Sequence, residues 1–173
     1  HQFAGLSFNS EDSKKNYIFF AIQGTKSDGT KFIDHAIKKG ATVIISEQKF
    51  EGIKNKVLFL RSKNVRKVLS ELSYKTKKNI PKNLIAVTGT NGKSSIADFY
   101  FQLLNLGNKK VASIGTLGIR TKNNLKNISN TTLDPIGLSK ILNDLKKQRI
   151  ENVILEASSH GLKQNRLDGL KFN

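Results

Sequence analysis

The sequence predicts an α/β protein, with a small α/β domain in residues 1–79 followed by a parallel-sheet domain in residues 80–173. Short apolar runs rich in β-branched and aromatic residues, typical of buried strands, alternate with segments whose apolar residues recur at helical spacing. Such alternation is typical of a parallel sheet with helices on both faces. The polar, proline-bearing segment 79–83 is the best boundary between the domains.

In the first domain, the predicted strands are Tyr17–Ile22, Ala41–Ile45 and Val57–Leu60. The first helix, predicted over residues 31–39, ends at Gly40, since glycine is common just past a helix C-terminus. A polar loop bracketed by glycines, residues 24–29, precedes it. Asn64 caps a second helix, whose apolar face consists of Val65, Val68, Leu69 and Leu72.

The second domain continues the alternation. Its predicted elements are the strand 84–87, a helix over 94–106, the strand 111–114, a helix that opens near Pro135, and the strand 153–155. Gly107 stops the first of these helices, and residues 121–134 are expected to form a loop rich in Asn, Thr and Lys. Glu156 directly follows the last strand.

A glycine-rich segment, Thr88–Ser95, lies between a predicted buried strand and a predicted helix, which is the setting that a phosphate-binding loop requires. Glycines let the backbone turn sharply and point N–H groups inward, and the helix N-terminus adds partial positive charge. Lys93 can then reach terminal phosphates and is the expected catalytic residue, and the Ser94 hydroxyl can bind Mg²⁺. The expected phosphate-binding residues are Gly89, Thr90, Asn91, Gly92, Lys93, Ser94 and Ser95.

This loop departs from the general phosphate-loop pattern at one position. The pattern has a glycine six residues before the lysine, where this chain has Val87, so the loop is not that of the common GTPases and ATPases. Glu156 ends a strand beside the loop, and open α/β sheets bind ligands at the carboxyl ends of their strands. Its carboxylate suits a Mg²⁺ ligand, with a helix cap as the alternative.

The composition and net charge limit which classes of protein this chain can belong to. The net charge is +17, from 30 Lys and Arg against 13 Asp and Glu, which is compatible with a nucleic-acid-binding module. The lysines are scattered along the chain without an aromatic-interleaved basic strip, so a solvated lysine-rich surface is favoured. There are no cysteines, which excludes disulfides and thiolate chemistry and fits a cytoplasmic enzyme.

No apolar run approaches the length that spans a bilayer, and the first residues do not resemble a signal peptide. We therefore expect no membrane and no nucleic-acid partner, and a monomer. Because the chain begins with His1, it is expected to start inside a longer protein.

The segment T-G-T-N-G-K, residues 88–93, resembles the ATP loop of the Mur ligase superfamily, whose members join amino acids to carboxylates through acyl phosphates. Folylpolyglutamate synthetases share a similar loop. Three further stretches resemble the UDP-N-acetylmuramoyl-tripeptide synthetases of that superfamily, and the resemblance covers essentially the whole chain in family order. They are N-T-T-L-D-P (residues 130–135), E-A-S-S-H-G-L-K-Q-N-R (156–166), and, near the start, S-F-N-S (7–10) with G-T-K-S-D-G (24–29).

The resemblance implies a role for each stretch. The first domain would bind the uridine nucleotide through Phe8, Ser10, Thr25, Lys26 and Ser27. The second would be an incomplete ATPase domain that holds the peptidyl sugar and its acidic dipeptide through Asn130, Thr131, Thr132, Ser158, Gln164 and Arg166. Two departures stand out: Leu133 replaces the usual proline, and Glu11 the usual arginine. From the residues alone these stretches also read as polar surface loops or helix caps, and no catalytic role is assigned to His160.

The implied reaction uses ATP and Mg²⁺. The γ-phosphate passes to the D-glutamate carboxylate of UDP-N-acetylmuramoyl-dipeptide, and the amine of meso-diaminopimelate or L-lysine attacks the acyl phosphate. Family members would continue past Asn173 with a carbamylated lysine, a magnesium-binding histidine and a third domain, so this chain alone is expected to be inactive. A folylpolyglutamate-type ligase and a basic nucleic-acid-binding module are the alternatives.

Overall fold

The computed structural model describes residues 3–24, 27–76, 79–128 and 131–173. The chain forms two compact units, residues 1–69 and 70–173. The units divide inside a helix, ten residues before the boundary expected from the sequence, because the end of that helix places Tyr74 in the core of the second unit. The domain boundary at residues 79 and 80 stays a prediction.

The first unit is built on a five-stranded sheet in the order β1-β2-β3-β5-β4. The strands are β1 (Gly5–Ser7), β2 (Tyr17–Phe20), β3 (Ala41–Ser46), β4 (Gly52–Lys54) and β5 (Val57–Arg61). Helix α1 is Ile33–Lys38, α2 is Val65–Lys75, and short 3₁₀ turns cover Ser10–Asp12 and Gly29–Phe32. Neighbouring strands are parallel except β4 and β5, which pair antiparallel.

The strand and helix positions expected in this unit are confirmed, with shifted ends. The first helix is shorter than expected, because Asp28 accepts a hydrogen bond from the Thr30 N–H and starts a 3₁₀ turn there. That hydrogen bond also lowers the pKa of the Asp28 carboxyl. Asn64 caps α2 as predicted, accepting from the Lys67 N–H at 2.9 Å.

The second unit carries a sheet in the order β6-β10-β7-β8-β9. Its elements are β6 (Asn83–Val87), α3 (Lys93–Leu106), β7 (Val111–Gly115), β8 (Gly118–Thr121), β9 (Asn124–Lys126), α4 (Pro135–Lys147), β10 (Asn152–Glu156) and α5 (Ser159–Lys163). The last long strand, β10, pairs in parallel with both β6 and β7 and so lies at the centre of the parallel part. The carboxyl ends of these three strands therefore meet at one edge, where the predicted site residues follow.

The structure has a β-hairpin, β8 and β9, that the sequence did not predict; β9 falls inside the stretch of residues 121–134 that was expected to be a loop. Strands β8 and β9 pair antiparallel with β7 and with each other, so both sheets are mixed rather than wholly parallel. Only two residues, Thr116 and Leu117, separate β7 from β8, and so short a connection permits only antiparallel pairing. Within the ranges described above, no helix is long and apolar enough to cross a membrane.

Helix α4 gives a first test of the fold. Asp134 caps it by accepting from the Gly137 N–H at 2.9 Å, and the helix buries Leu138, Leu142 and Leu145. We expect Asp134→Ala to lower the free energy of unfolding by about 1 kcal/mol. The matched control is Asp144→Ala, which removes only an exposed 3.4 Å pair with Lys147 and should cost less than about 0.5 kcal/mol. Equal urea midpoints for the two variants would contradict the capping role.

Candidate functional site

The phosphate loop connects β6 to α3, as predicted. Gly89 has φ of 149° and Gly92 has φ of 80°, values that side chains rarely adopt, so the loop conformation requires glycine at both positions. Thr90, Asn91 and Ser95 are exposed around the turn. The first N–H groups of α3 have no earlier turn of helix to bond, so they point out of its N-terminus toward this loop. The geometry is that of an anion cradle at a helix N-terminus.

Lys93 is the first residue of α3, and its ammonium group lies over the loop. Its Nζ donates to the Gly89 carbonyl oxygen at 2.7 Å and to the Thr90 carbonyl oxygen at 3.4 Å. These contacts hold the cation beside the backbone N–H groups that would receive an anion. A lysine in this position neutralises phosphate charge as a compact point charge.

Glu156 is the centre of a buried cluster at the end of β10. Its side chain is 3% exposed, and its Oε2 accepts from Ser94 Oγ at 2.9 Å and from Thr116 Oγ1 at 3.0 Å. Its Oε1 accepts from the Thr116 N–H at 3.1 Å. Three donors thus compensate the burial of this carboxylate, which would otherwise be costly. Gly115 makes room for it, since a Cβ atom there would lie 2.2 Å from Oε1.

The donor set around Glu156 fits Mg²⁺. Ser94 Oγ and Glu156 Oε2 lie 2.9 Å apart beside the phosphate loop, and both are oxygen atoms of the kind that Mg²⁺ prefers. In the part of the chain that the structure describes, no group of three or more His, Cys, Asp or Glu side chains could form an all-protein cage. Mg²⁺ is usually bound by one or two protein ligands together with phosphates and waters, so two oxygen atoms such as those of Ser94 and Glu156 would be enough to hold it.

A second cluster joins the segment before α4 to the segment after β10. Thr132 is buried, and its Oγ1 lies 3.1 Å from both the Glu156 backbone oxygen and Ser158 Oγ. It also accepts from the Ser158 N–H at 2.9 Å. Ser158 in turn caps α5 by accepting from the Gly161 N–H. Thr131 reaches the first cluster, with its Oγ1 3.1 Å from Thr116 Oγ1. The structure therefore brings these predicted residues together with the Glu156 cluster.

Arg166, three residues past the end of α5, also contacts this cluster through Thr132. Its Nε and its Nη2 donate to Gln164 Oε1 at 3.0 and 2.8 Å, and Nη1 donates to the Thr132 carbonyl oxygen. The Tyr74 hydroxyl donates to the Arg166 backbone oxygen at 2.6 Å. Burial raises the pKa of the Tyr74 phenol far above its ordinary range, so it remains a donor. The Gln164 and Thr132 contacts hold the guanidinium, and the Tyr74 contact holds the Arg166 backbone.

The residues predicted to bind uridine belong to the first unit. Phe8 is 42% exposed and Ser27 is exposed, whereas Ser10 is buried, with its Oγ 3.0 Å from His35 Nδ1. Glu11, which stands where the resemblance has arginine, pairs with Lys39 at 3.2 Å. Thr25 and Lys26, and Asn130 of the second unit, lie outside the described residues.

Sequence reasoning missed Gly115, Thr116, Tyr74 and His35. Thr116 could have been found, because it follows a predicted strand whose carboxyl end meets the same edge as Glu156. Tyr74 and His35 had no local signal, since each acts on a residue far away in sequence.

Two family models together match nearly the whole chain. The model described as "Mur ligase family, catalytic domain" matches residues 2–82, and that described as "Mur ligase middle domain" matches residues 87–173.

Curated relatives match over the full chain as well. The UDP-N-acetylmuramoyl-L-alanyl-D-glutamate–2,6-diaminopimelate ligase of Rickettsia montanensis is 42% identical over 177 residues, covering 100% of this chain and 36% of the relative. The enzyme of the same name from Zymomonas mobilis subsp. mobilis is 39% identical over 169 residues, covering 96% of this chain and 34% of the relative. The chain thus spans about a third of the length of the relatives it matches.

Solved structures have the same fold. A structure of a UDP-N-acetylmuramoyl-L-alanyl-D-glutamate–2,6-diaminopimelate ligase aligns with a TM-score of 0.84 and 34% identity, over 99% of this chain and 35% of that one. The MurF ligase from Thermotoga maritima, solved in complex with ADP, aligns with a TM-score of 0.58 and 26% identity, over 89% of this chain and 32% of that one. With its phosphate loop, its buried glutamate and the model matches to both halves, this chain belongs to the Mur ligase family.

Proposed function

We propose that the chain is part of an ATP-dependent ligase that adds 2,6-diaminopimelate to UDP-N-acetylmuramoyl-L-alanyl-D-glutamate in peptidoglycan synthesis. The names of the relatives support this amino acid over L-lysine. The phosphate loop and the Arg166 cluster are the parts of the active site that this chain supplies. The cytoplasmic location and the monomeric state expected from the sequence stay predictions.

One observation carries the proposal: Glu156 belongs to both clusters. Its carboxylate accepts from Ser94 at the start of the phosphate-loop helix, and its backbone oxygen accepts from Thr132 in the predicted peptide-binding cluster. The γ-phosphate of an ATP bound at the loop and a substrate carboxylate bound by Arg166 would therefore lie on either side of Glu156 and could approach each other there. This is the arrangement that phosphoryl transfer to a carboxylate requires.

The chemical task of these residues is to bring two anions together. Lys93 and the N–H groups of the loop would bind the phosphates, and Ser94 with Glu156 would hold Mg²⁺. Bound Mg²⁺ neutralises charge on the phosphates. Arg166 would orient the acidic dipeptide through a charge-assisted fork, while Ser158 and the threonines of the second cluster supply hydroxyl contacts. Stabilisation by such fixed charges and dipoles is commonly the largest part of catalysis.

The proposal can be tested with the 173-residue chain itself. Thermal-shift and calorimetric titrations would compare ATP with Mg²⁺, UDP-N-acetylmuramoyl-L-alanyl-D-glutamate, a folate and a DNA oligonucleotide. We expect the first two ligands to bind and to raise the melting temperature, since a ligand that binds only the folded state stabilises it. Stabilisation by the folate would favour a folylpolyglutamate-type ligase, and stabilisation by DNA alone would favour a nucleic-acid-binding module.

Arg166→Ala should weaken binding of the UDP-sugar dipeptide but not of ATP with Mg²⁺. A charge-assisted hydrogen bond contributes about 1.5–3 kcal/mol, so the affinity for the UDP-sugar dipeptide should fall about 10-fold to 100-fold. The affinity for ATP with Mg²⁺ should change less than about twofold, because Arg166 does not contact the phosphate loop. Tyr74→Phe is the control, since it removes a bond to the Arg166 backbone and leaves the guanidinium in place. Equal losses for both ligands would show that Arg166 only supports the fold.

A further inference from the structure

We propose that His160 is a positioning residue, which in its neutral form holds the Arg166 guanidinium in place through the side-chain amide of Gln164. The ligand that Arg166 would bind rests on the proposed function, whereas the coupling of the three side chains does not. The observation is a continuous chain of contacts: Gln164 Nε2 lies 2.8 Å from His160 Nε2, and Gln164 Oε1 accepts from Arg166 at 2.8 and 3.0 Å.

The chemistry of the donors fixes the direction of every bond in this chain. A guanidinium group has only N–H donors, so the amide oxygen of Gln164 must face Arg166. The NH₂ group of the same amide then faces His160, and an amide NH₂ can only donate. His160 Nε2 must therefore accept, which requires a neutral imidazole with its proton on Nδ1.

The contacts of Arg166 leave part of the group available for a ligand. Gln164 occupies two of its N–H donors and the Thr132 carbonyl a third. A guanidinium has five such donors, and five less three leaves two, one on each terminal nitrogen. Each of these two N–H groups can donate a charge-assisted hydrogen bond to a carboxylate oxygen. Gln164 therefore orients the fork rather than competing with the ligand for it.

Protonation of His160 would break the chain. An imidazolium carries N–H on both nitrogens, so Nε2 could no longer accept from Gln164. Turning the amide to offer its oxygen to His160 would set its NH₂ against the guanidinium, with donors facing donors. Either response loosens Arg166, so the fork should be best held at pH values where His160 is neutral.

The charges around His160 do not oppose this assignment. Lys163 lies one turn after it on α5, and Arg166 reaches it through Gln164. This region also holds the carboxylates of Asp168, which accepts from Asn165, and of Asp134, which caps α4. The packed elements contribute the neutral hydroxyl of Thr132, from before α4, and that of Tyr74, from α2. Among the ion pairs of the described residues, none joins a carboxylate to His160.

The coupling can be tested without any ligand, by nitrogen and proton NMR of the free chain. We expect the Nδ1–H tautomer for His160 at pH 7.5, and a side-chain amide signal of Gln164 that shifts as the imidazole is protonated on lowering the pH. An Nε2–H tautomer, or a Gln164 amide signal that ignores the titration of His160, would overturn the proposal.

The functional consequence is tested by the affinity for UDP-N-acetylmuramoyl-L-alanyl-D-glutamate at pH 7.5 and pH 5.5. For the unmodified chain we expect a fall of about 2-fold to 10-fold at the lower pH, the effect of one hydrogen bond. His160→Gln offers an acceptor oxygen that does not titrate, so it should keep the affinity and lose the difference between the two pH values. His160→Phe has a similar shape without an acceptor, and it should show the lower affinity at both.

Two results decide the matter. A His160→Gln variant that keeps the full pH dependence would overturn the positioning role, because the dependence would then arise elsewhere. If neither the unmodified chain nor any variant binds the UDP-sugar dipeptide, the proposed function fails, and the NMR titration alone decides the coupling.

Discussion

Replacing Lys93 by alanine is expected to lower the affinity of the chain for ATP with Mg²⁺ by about 10-fold to 100-fold, the effect of one charge-assisted contact. Lys93 is the cation that lies over the loop carbonyls of Gly89 and Thr90. The loop glycines and the helix N-terminus remain in the variant, so residual binding should persist rather than vanish. Isothermal titration calorimetry of the nucleotide at constant ionic strength measures the change.

The matched control for this variant is Lys147→Ala. Lys147 is the last residue of α4, twelve residues after its first residue, Pro135, which at 1.5 Å per residue is roughly 18 Å along the helix. It carries the same charge, and among the described residues its ammonium group pairs with Asp144 at an exposed site. Nucleotide affinity should be unchanged in this control. If the two variants lose the same affinity, the effect is one of net charge and Lys93 has no special role in the loop.

The second large effect is expected from Gly115→Ala. A methyl group there would lie 2.2–2.5 Å from the Oε1, Cδ and Cγ atoms of Glu156, so the carboxylate or the strand must move. Overpacking of this kind costs about 1–3 kcal/mol, which corresponds to a fall of roughly 4–8 °C in melting temperature near the middle of that range. Because the displaced carboxylate is the predicted Mg²⁺ ligand, the Mg²⁺ dependence of nucleotide binding should weaken too.

Gly107→Ala is the control for Gly115→Ala. A Cβ atom at residue 107 would meet carbonyl oxygens at 3.6 Å, an ordinary contact, so its melting temperature should hardly change. A double-mutant cycle with Glu156→Ala adds a sharper criterion, since removing the glutamate removes the collision. The double variant should be more stable than the sum of the single losses predicts. Strict additivity would mean that the two residues do not compete for the same space.

The phosphate loop could be predicted from the sequence because its signals are local. Its glycines, its lysine and its place between a strand and a helix all fall within a dozen consecutive residues, and the structure confirms that setting. The α/β class and the helix caps at Asn64 and Gly107 could also be predicted, since each depends on neighbouring residues or on periodicity.

The features that were missed depend on contacts between distant segments. The β8–β9 hairpin is short and polar on its exposed side, so its strands lack the apolar runs by which the others were found. The Glu156 cluster needs Ser94, Thr116 and Glu156 to meet at one edge of the sheet, which only the strand order β6-β10-β7 brings about. The link from His160 to Arg166 depends on one side-chain rotamer of Gln164, which no pattern in the sequence encodes.

The gap beside Gly115, which the Glu156 side chain fills, has a consequence for evolution as well as for the fold. The backbone conformation of Gly115 is open to other residues, so glycine is needed here for the volume that Glu156 occupies and not for its flexibility. A substitution at either position limits which residues the other position can accept, although the two positions lie in strands that are far apart in the sequence. Among homologous chains the two positions should therefore vary as a pair, with larger residues at the first appearing only where the glutamate has been replaced.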